Sequence, residues 1–467
     1  MAYPFQTVNI GNLEFFASML GEEAVLTGDE SLQSYARDYT EDLFFPPNGV
    51  LLPNTAEEVA AILAYCHEHN IAVTPRGAGT GLSGGSLPVR GGISLSLERM
   101  NRILHIDTKN FQARVQPGVI NEVLREEAAR YGLFYPPDPA SRGSCFLGGN
   151  IAHSSGGPRA VKYGTTKDYV LNLQVALPDG SLIWTGADTV KNSTGYNLTQ
   201  LMVGSEGTLG VVTEMVLRLI SKPAHTILLL APFANPVQAC KAVNEVLLAG
   251  FQPSALELME ESGVRMSVAA TQTPFPEYQD TEIWLLAELD GNNPEALLDE
   301  AGRLFPLLES AGASDVLLAD NETLKEQWWK VRRSIGEVVK SVSIYKEEDT
   351  VVPRYALPEL MAAVKEISTR YGFRAVCYGH AGDGNLHVNI LKDQLSDRQW
   401  KEEIPKAIRE IFEQCKALGG TISGEHGIGL VQKDYLDVVF NETHFALMRG
   451  IKQVFDPKGI LNPGKWV

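Results

Sequence analysis

The sequence predicts an α+β protein of more than one domain, and three observations carry that reading. At 467 residues, with 44% apolar side chains, the chain exceeds what one ordinary core encloses. Three glycine-rich segments fall before residue 215, among short apolar runs. After about residue 221 the texture changes, with Pro223, Pro232, Pro236 and Pro253 punctuating alternating helical and strand patterns. The expected division is residues 1–221, residues 222–440, and a C-terminal segment 441–467 that returns to the first domain.

The first elements form a strand, helix, strand unit over residues 49 to 75. GVLLP is a short apolar run, Thr55 and Glu58 make a capping box ahead of VAAILAYCHEH, Asn70 ends the helix, and IAVTP follows as a strand. RGAGTGLSGGSLPVRGG comes next, and glycine at that density means tight turns or backbone approaching a ligand. A literal GxGxxG lies at Gly79, Gly81 and Gly84, with Glu98 roughly where a ribose-binding acid is sought. The Rossmann reading fails, because Pro88, Gly91 and Gly92 forbid the helix that must open at the third glycine. The bare amides of the loop still suit a pyrophosphate held in a nest.

GSCFLGGNIAHSSGGPRAVKYG, from Gly143 to Gly164, and VGSEGTLGVVTE, from Val203 to Glu214, are the second and third such segments. Between them, VLNLQVALPDGSLIWTG reads as a hairpin around a PDG turn. Any one segment fits the ordinary turns of an α/β sheet. All three, on strand edges, suit a large, extended nucleotide cofactor. Beyond residue 221, PVQACKAVNEVLLAG precedes PSALELM, and EIWLLAELDG precedes EALLDEAGRLFPLLESAG, which predicts helices packed on an antiparallel sheet. The last segment, FALMRGIKQVFDPKGILNPGKWV, leaves a helix through DPKG and ends in an irregular tail.

Charge and composition exclude several classes. A formal net charge of −17 without a basic run argues against nucleic acid as a partner. The five cysteines are scattered and never form a CxxC pair, which suggests a reducing compartment and excludes a built-in iron-sulfur domain of the usual spacing. MAYPFQTVNIGNLEFF has no basic segment followed by an apolar core, and no stretch approaches a membrane span. The expectation is a cytoplasmic protein that is not an integral membrane protein, with membrane association only through a partner.

Chemistry concentrates in HAGDGNLHVN (380–389) and SGEHGIG (423–429), which hold three of the nine histidines. His380 and His387 flank a GDGN turn that can bring both imidazoles to one point, and Glu425 adds a carboxylate. Two histidines and one acid suit zinc or another divalent first-row metal. His426 projects differently from Glu425 and is a candidate base. The bland alternative is tight turns whose histidines merely satisfy loop carbonyls. If HVN is a strand, Asn389 faces the same side as His387.

Assembled in this order, RGAGTGLSGG, GGNIAHSSGG, GSEGTLGVVTE, GHAGDGNLHVN and GEHGIG resemble the vanillyl-alcohol-oxidase, or PCMH-type, FAD flavoproteins. Within that group the resemblance is to the D-2-hydroxyacid dehydrogenases, and it runs from PNTAEEV to FDPKGILNPGK. It implies a two-subdomain FAD-binding domain plus a cap domain of antiparallel sheet with helices.

The resemblance also implies roles. Arg76, Gly77, Ala78, Gly79, Thr80, Gly81, Ser83 and Gly84 would form the diphosphate loop. Gly148, Gly149, Asn150, Ala152, Ser155, Gly156 and Gly157 would lie along the flavin, and Pro137 and Asp138 would also bind the cofactor. Glu206, Gly210 and Val212 would contact the rest of FAD, and Asn462 would return to the ring. Residues 76 to 85 hold none of the histidines that tether FAD in many relatives, so non-covalent FAD is expected, although Cys145 resembles the second tether of some oxidases.

The family's metal ligands fall on His380, His387 and Glu425, its base on His426, and its substrate-binding residues on Arg332, Lys346 and Asn389. A gap-free alignment from Arg332 to Pro353 instead puts Glu347 where the family lysine belongs, and Arg333 is the alternative arginine. If the run Glu347 to Asp349 lines the distal pocket, it disfavours a second substrate carboxylate.

The implied activity is oxidation of a D-2-hydroxy acid, of the D-lactate, glycolate or D-2-hydroxyglutarate class, to the 2-oxo acid by hydride transfer to flavin N5. Zinc, with manganese as the alternative, would be the metal. Electrons would leave to an electron-transfer flavoprotein, a quinone or a separate iron-sulfur subunit, and a homodimer is compatible with the sequence. The competing readings are a metal-independent FAD oxidase of a sugar or alcohol on the same fold, a zinc hydrolase without flavin, and a noncatalytic FAD-binding subunit.

Overall fold

From Gly49 to Arg76 the chain folds as its apolar pattern dictates. The Thr55 hydroxyl accepts the Glu58 amide at 3.2 Å to open the helix Ala56–His69, which ends at Asn70 in the left-handed conformation, φ 53°. Glu58 caps one residue further out than the box requires, its carboxylate accepting the Asn54 amide at 2.6 Å. The molecule is known from a computed structural model that describes residues 5–40, 43–319 and 321–466. The opening MAYP of the terminal stretch considered above lies outside them. The described chain divides into two compact units, 1–156 with 165–222 and 425–467, and 157–164 with 223–424. The expected return at 441 is therefore made earlier, at Glu425, and a short piece expected in the first domain, 157–164, belongs to the second unit.

The first unit contains β1 (Val25–Leu26), β2 (Gly49–Leu51), β3 (Val73–Arg76), β4 (Ile93–Ser96), β5 (Ile103–Asp107), β6 (Gln112–Val115), β7 (Leu133–Phe134), β8 (Val170–Ala176), β9 (Leu182–Trp184), β10 (Val211–Arg218) and β11 (Ile220–Ser221). They form a four-stranded sheet of order β1-β2-β4-β3, a five-stranded sheet of order β5-β6-β10-β8-β9, and the pair β11-β7. In the first sheet β4 runs parallel to β2 and β3, whereas the second is antiparallel throughout. The helix Ala56–His69 buries Val59, Ile62, Leu63 and Cys66 in one core with Val50, Val73, Ile93 and Leu461. The loop from Gly77 to Gly92 contains no helix, as Pro88 and its glycines require, and Glu98 accepts hydrogen bonds from Tyr35 and Ser96. The second glycine segment differs from the strand-edge expectation, because Leu147–His153 closes into a short helix. Gly148 permits this: a Cβ there would stand 2.7 Å from Pro117 Cβ.

The second unit is built on β12 (His225–Phe233), β13 (Ala255–Glu260), β14 (Ile283–Gly291), β15 (Leu317–Ala319), β16 (Tyr345–Val351), β17 (Arg374–His380) and β18 (Asn385–Leu391). These make one seven-stranded antiparallel sheet of order β15-β12-β14-β13-β17-β18-β16. The apolar runs ILLLAPF and IWLLAEL are buried on both faces, so helices must cover both. The long amphipathic helix Glu322–Val342 presents Trp328, Val331, Ile335 and Val339 to Met259, Trp284, Leu286 and Val376 of one face.

Candidate active site

In the second unit, strand periodicity collects polar side chains on the sheet face packed by the helix Glu322–Val342. The turn Ala381–Asp383, with Gly384 at φ 75°, joins β17 to β18 as a hairpin pairing His380 with Asn385 and Tyr378 with His387. The His380 and His387 rings stand 5.3 Å apart at 88°, and each offers a nitrogen within 4.8 Å of the other's. Both are buried. On β16, Glu347 lies opposite Asn389 and Asp349 opposite His387, so these two acids share the histidines' face.

Three residues unforeseen in the sequence complete this face. Glu257 on β13 is opposite His380, and both its carboxylate oxygens lie 2.9 Å from His380 Nδ1. Arg332 reaches the same carboxylate at 2.5 Å, with its guanidinium carbon 4.9 Å from the Tyr378 ring centre. Tyr378 donates to Glu347 at 3.1 Å, and Lys340 pairs with the other Glu347 oxygen at 2.7 Å. Burial, reinforced by Glu347, pushes the Tyr378 phenol well above its ordinary pKa. Gly336 makes room for that phenol, since a Cβ there would stand 2.6 Å from its oxygen.

Asp349 is the hub of the far end. Its Oδ1 accepts from Asn385 Nδ2 at 2.8 Å and lies 3.6 Å from His387 Nδ1. Its Oδ2 accepts from the Ser423 hydroxyl at 3.0 Å and the Gly424 amide at 2.8 Å. Thr421 meanwhile bridges to Val351, and a Cβ on Gly420 would fall 1.9 Å from the Val351 carbonyl.

Of the predicted substrate residues, Arg332 and Asn389 join this cluster and Lys346 does not. Lys346 is on the opposite face of β16, its ammonium 5.7 Å from the Trp400 ring centre. Arg333 is turned onto the Trp329 ring, 4.6 Å away. Asn389 is fully buried, and among the described residues neither its Nδ2 nor its Oδ1 has a hydrogen-bond partner. Nor does Arg332 Nε. A buried amide and a guanidinium N–H left in this condition are costly unless something else occupies the face.

The first unit contains a cleft of about 680 Å³, including the part open to solvent, between the three glycine segments. Arg76, Gly77, Gly148, Gly149, Ala152, Glu206, Gly210 and Val212 line it, together with His153 and Met202, which the sequence did not single out. Ala78, Gly79, Thr80, Gly81, Ser83 and Gly84 continue the loop beyond that lining. A Cβ on Gly79, at φ 72°, would strike the Arg76 guanidinium, which holds the Arg37 carbonyl at 2.8 Å. Asn150 accepts from Asn121 at 3.0 Å and donates to Cys145 Sγ at 3.3 Å, while Asn121 also reaches the Pro137 carbonyl at 3.3 Å. Asp138 pairs with Arg125 at 3.7 Å. Burial raises the Cys145 thiol, which keeps it protonated. Ser155 accepts the Thr166 amide, Gly156 ends the first unit's segment, and Gly157 opens the second unit's.

Glu206, at φ 52°, accepts the amides of Ile428 and Gly429 at 2.8 and 2.7 Å. Asn462 Nδ2 donates to the carbonyls of Gly85 and Glu206 at 2.9 and 2.8 Å. Ser83 holds the His426 carbonyl at 3.0 Å, and a Cβ on Gly156 would meet Glu425 Oε2 at 2.8 Å. His426 is thereby fastened to the first glycine segment, and Glu425 lies against the second. Lys465 donates to the Leu87 carbonyl, and burial lowers its pKa to about 8.

Comparison with known proteins agrees with these motifs. Residues 222–466 match the family of FAD linked oxidases, C-terminal domain, and residues 47–186 match an FAD binding domain. The chain is 38% identical to D-lactate dehydrogenase of Anaerostipes hadrus over 99% of its length and 98% of the relative's. It is 37% identical to glycolate oxidase subunit GlcD of Bacillus subtilis (92% and 91%) and 32% identical to D-2-hydroxyglutarate dehydrogenase of Stutzerimonas stutzeri (94% and 95%). Among solved structures, p-cresol methylhydroxylase superposes with TM-score 0.82 at 18% identity, covering 99% of this chain and 98% of that one, which shows the shared PCMH-type fold. The chain is an FAD oxidoreductase and belongs to the FAD-linked oxidase family, in its D-2-hydroxyacid dehydrogenase subgroup.

Proposed function

We propose that this protein oxidises a D-2-hydroxy acid of the D-lactate, glycolate or D-2-hydroxyglutarate class to its 2-oxo acid, using non-covalent FAD and a divalent metal, and passes the electrons to a separate acceptor. The observation that carries the reading is the buried face on which paired imidazoles, an arginine with an unmatched N–H and an amide with no partner converge. The donor set fits a borderline divalent ion such as zinc or manganese: imidazole nitrogens from His380 and His387, and a carboxylate from Glu425, the residue after the anchored Gly424. Relatives that are 32 to 38% identical bear the names D-lactate dehydrogenase, glycolate oxidase subunit GlcD and D-2-hydroxyglutarate dehydrogenase.

When bound, FAD supplies the acceptor for the hydride leaving C2, and the metal supplies a Lewis acid for the 2-hydroxyl. Arg332 receives the substrate carboxylate through its remaining donors. Asn389 holds a substrate oxygen through its buried amide. His426 Nδ1 or Nε2 takes the hydroxyl proton, so the net change is loss of two electrons and two protons from the substrate. The cleft lined by Gly77, Gly148, Gly149 and Glu206 is the FAD site in this reading, where backbone without side chains lets the dinucleotide approach.

The test is turnover of a panel of D- and L-2-hydroxy acids with an artificial dye acceptor, with and without chelator. Loss of activity in EDTA and recovery with Zn²⁺ or Mn²⁺ is expected. Full activity after chelation would instead favour the metal-independent oxidase of a sugar or alcohol.

A further inference from the structure

The Glu257 carboxylate has two jobs available to it and no accessible surface. It is wholly buried, on a strand far from both histidine motifs in sequence, and it touches His380 Nδ1 through both oxygens at 2.9 Å and Arg332 at 2.5 Å. A carboxylate only accepts, so His380 must carry its proton on Nδ1. That assigns the lone pair to Nε2, the atom that would bind a metal, and fixes the ring's rotation. The same negative charge compensates the Arg332 guanidinium, which is itself buried. The ladder pairing of Glu257 with His380 sets this geometry in the backbone.

We propose that Glu257 is a positioning residue that couples the metal ligand His380 to the carboxylate-binding Arg332, so that one buried acid sets the spacing between the substrate's two anchor points. The proposal rests on the functional reading above. Ligation and carboxylate binding are separate interactions, and without a shared support a change at one would leave the other untouched. With Glu257 behind both, removal of its charge frees the His380 ring, allows the other tautomer, and releases Arg332 from its tether.

The experiment uses the full-length, flavin-loaded protein, with Zn²⁺ itself as the probe. Zn²⁺ affinity is measured by competition with a chromogenic chelator, and KM and kcat are measured at saturating Zn²⁺, for wild type, Glu257→Gln and Glu257→Asp. Glu260→Gln, on the same strand but the opposite face, controls for general damage to β13. Glu257→Gln is expected to weaken Zn²⁺ binding about 10- to 100-fold and, once Zn²⁺ is saturating, to raise KM more than it lowers kcat. Glu260→Gln should change neither. If Glu257→Gln fails to fold, Glu257→Asp supports the same comparison, because it keeps the charge but withdraws the carboxylate by one methylene. Unchanged Zn²⁺ affinity in a folded Glu257 variant overturns the proposal, and weakened Zn²⁺ binding with unchanged KM overturns the coupling to Arg332. A wild-type protein that neither binds Zn²⁺ nor loses turnover on chelation removes the parent reading as well, a result visible before any substitution is made.

Discussion

Asp349 accepts the backbone amide of Gly424 at 2.8 Å while its other oxygen lies 3.6 Å from His387 Nδ1. One buried side chain thus stands beside an imidazole of the hairpin and holds the backbone at Gly424. The Gly424 position itself is crowded, since a Cβ would stand 2.6 Å from Val351 Cγ2.

Asp349→Ala should therefore lose metal and turnover together. The variant strands the Gly424 amide and one N–H of Asn385, whose other N–H keeps the Thr350 carbonyl at 2.9 Å, each costing about 1–3 kcal/mol if left unsatisfied, and removes the carboxylate beside His387. Zn²⁺ affinity is expected to fall about 10- to 100-fold, read by chelator competition. Wild-type affinity in a folded variant would show that the anchor is dispensable.

His426→Ala removes the proposed base without touching the Ser83 hydrogen bond, which goes to the His426 carbonyl. The expected outcome is a drop in kcat of about 10²- to 10⁴-fold in a protein that keeps its flavin absorbance. Near-normal turnover would assign the proton transfer elsewhere.

Glu347 occupies the site face with Lys340 on one oxygen and Tyr378 on the other. Its charge opposes a second substrate carboxylate, whereas Glu347→Gln leaves Lys340 available to receive one. The ratio of kcat/KM for 2-hydroxyglutarate over lactate should rise by about tenfold, equivalent to ~1.4 kcal/mol. A steady-state comparison of the two acids checks this, and an unchanged ratio would place the distal group beyond the reach of Glu347.

Glu260 gives a pH signature independent of catalysis. Burial raises its pKa to about 7, even though it accepts the Cys377 amide at 2.7 Å. Between the unfolded value near 4.5 and about 7 the folded state holds the extra proton, so stability falls as pH rises through that window. Glu260→Gln mimics the protonated side chain at every pH. It should be close to neutral at pH 5 and stabilising by roughly 1–3 kcal/mol at pH 8, measured by denaturant unfolding at both pH values. Equal differences at the two would show that the carboxyl titrates normally.

Much of the fold was legible because local rules governed it. Thr55, Glu58 and Asn70 start and stop a helix by capping, and Pro88 with its flanking glycines excludes a Rossmann helix. The PDG turn pairs β8 with β9, and period-two alternation puts His387 and Asn389 on one face. What escaped the sequence was every relation made by strand pairing at long range. Glu257 lies in PSALELM with nothing nearby to mark it, and only the β13–β17 register brings it to His380. Lys346 and Glu347 are neighbours in the chain, yet the pleat sends them to opposite faces, and the acid rather than the lysine faces Asn389.

By itself the sequence determined the family and its FAD-binding domain, and it named candidate residues for metal binding and proton transfer. The tertiary structure alone decided which carboxylates stand behind the imidazoles, which arginine is buried beside them, and where the chain changes units. The physical reason is that motifs and caps are short-range properties of consecutive residues, whereas burial and charge pairing depend on strand registers that close over a hundred or more residues.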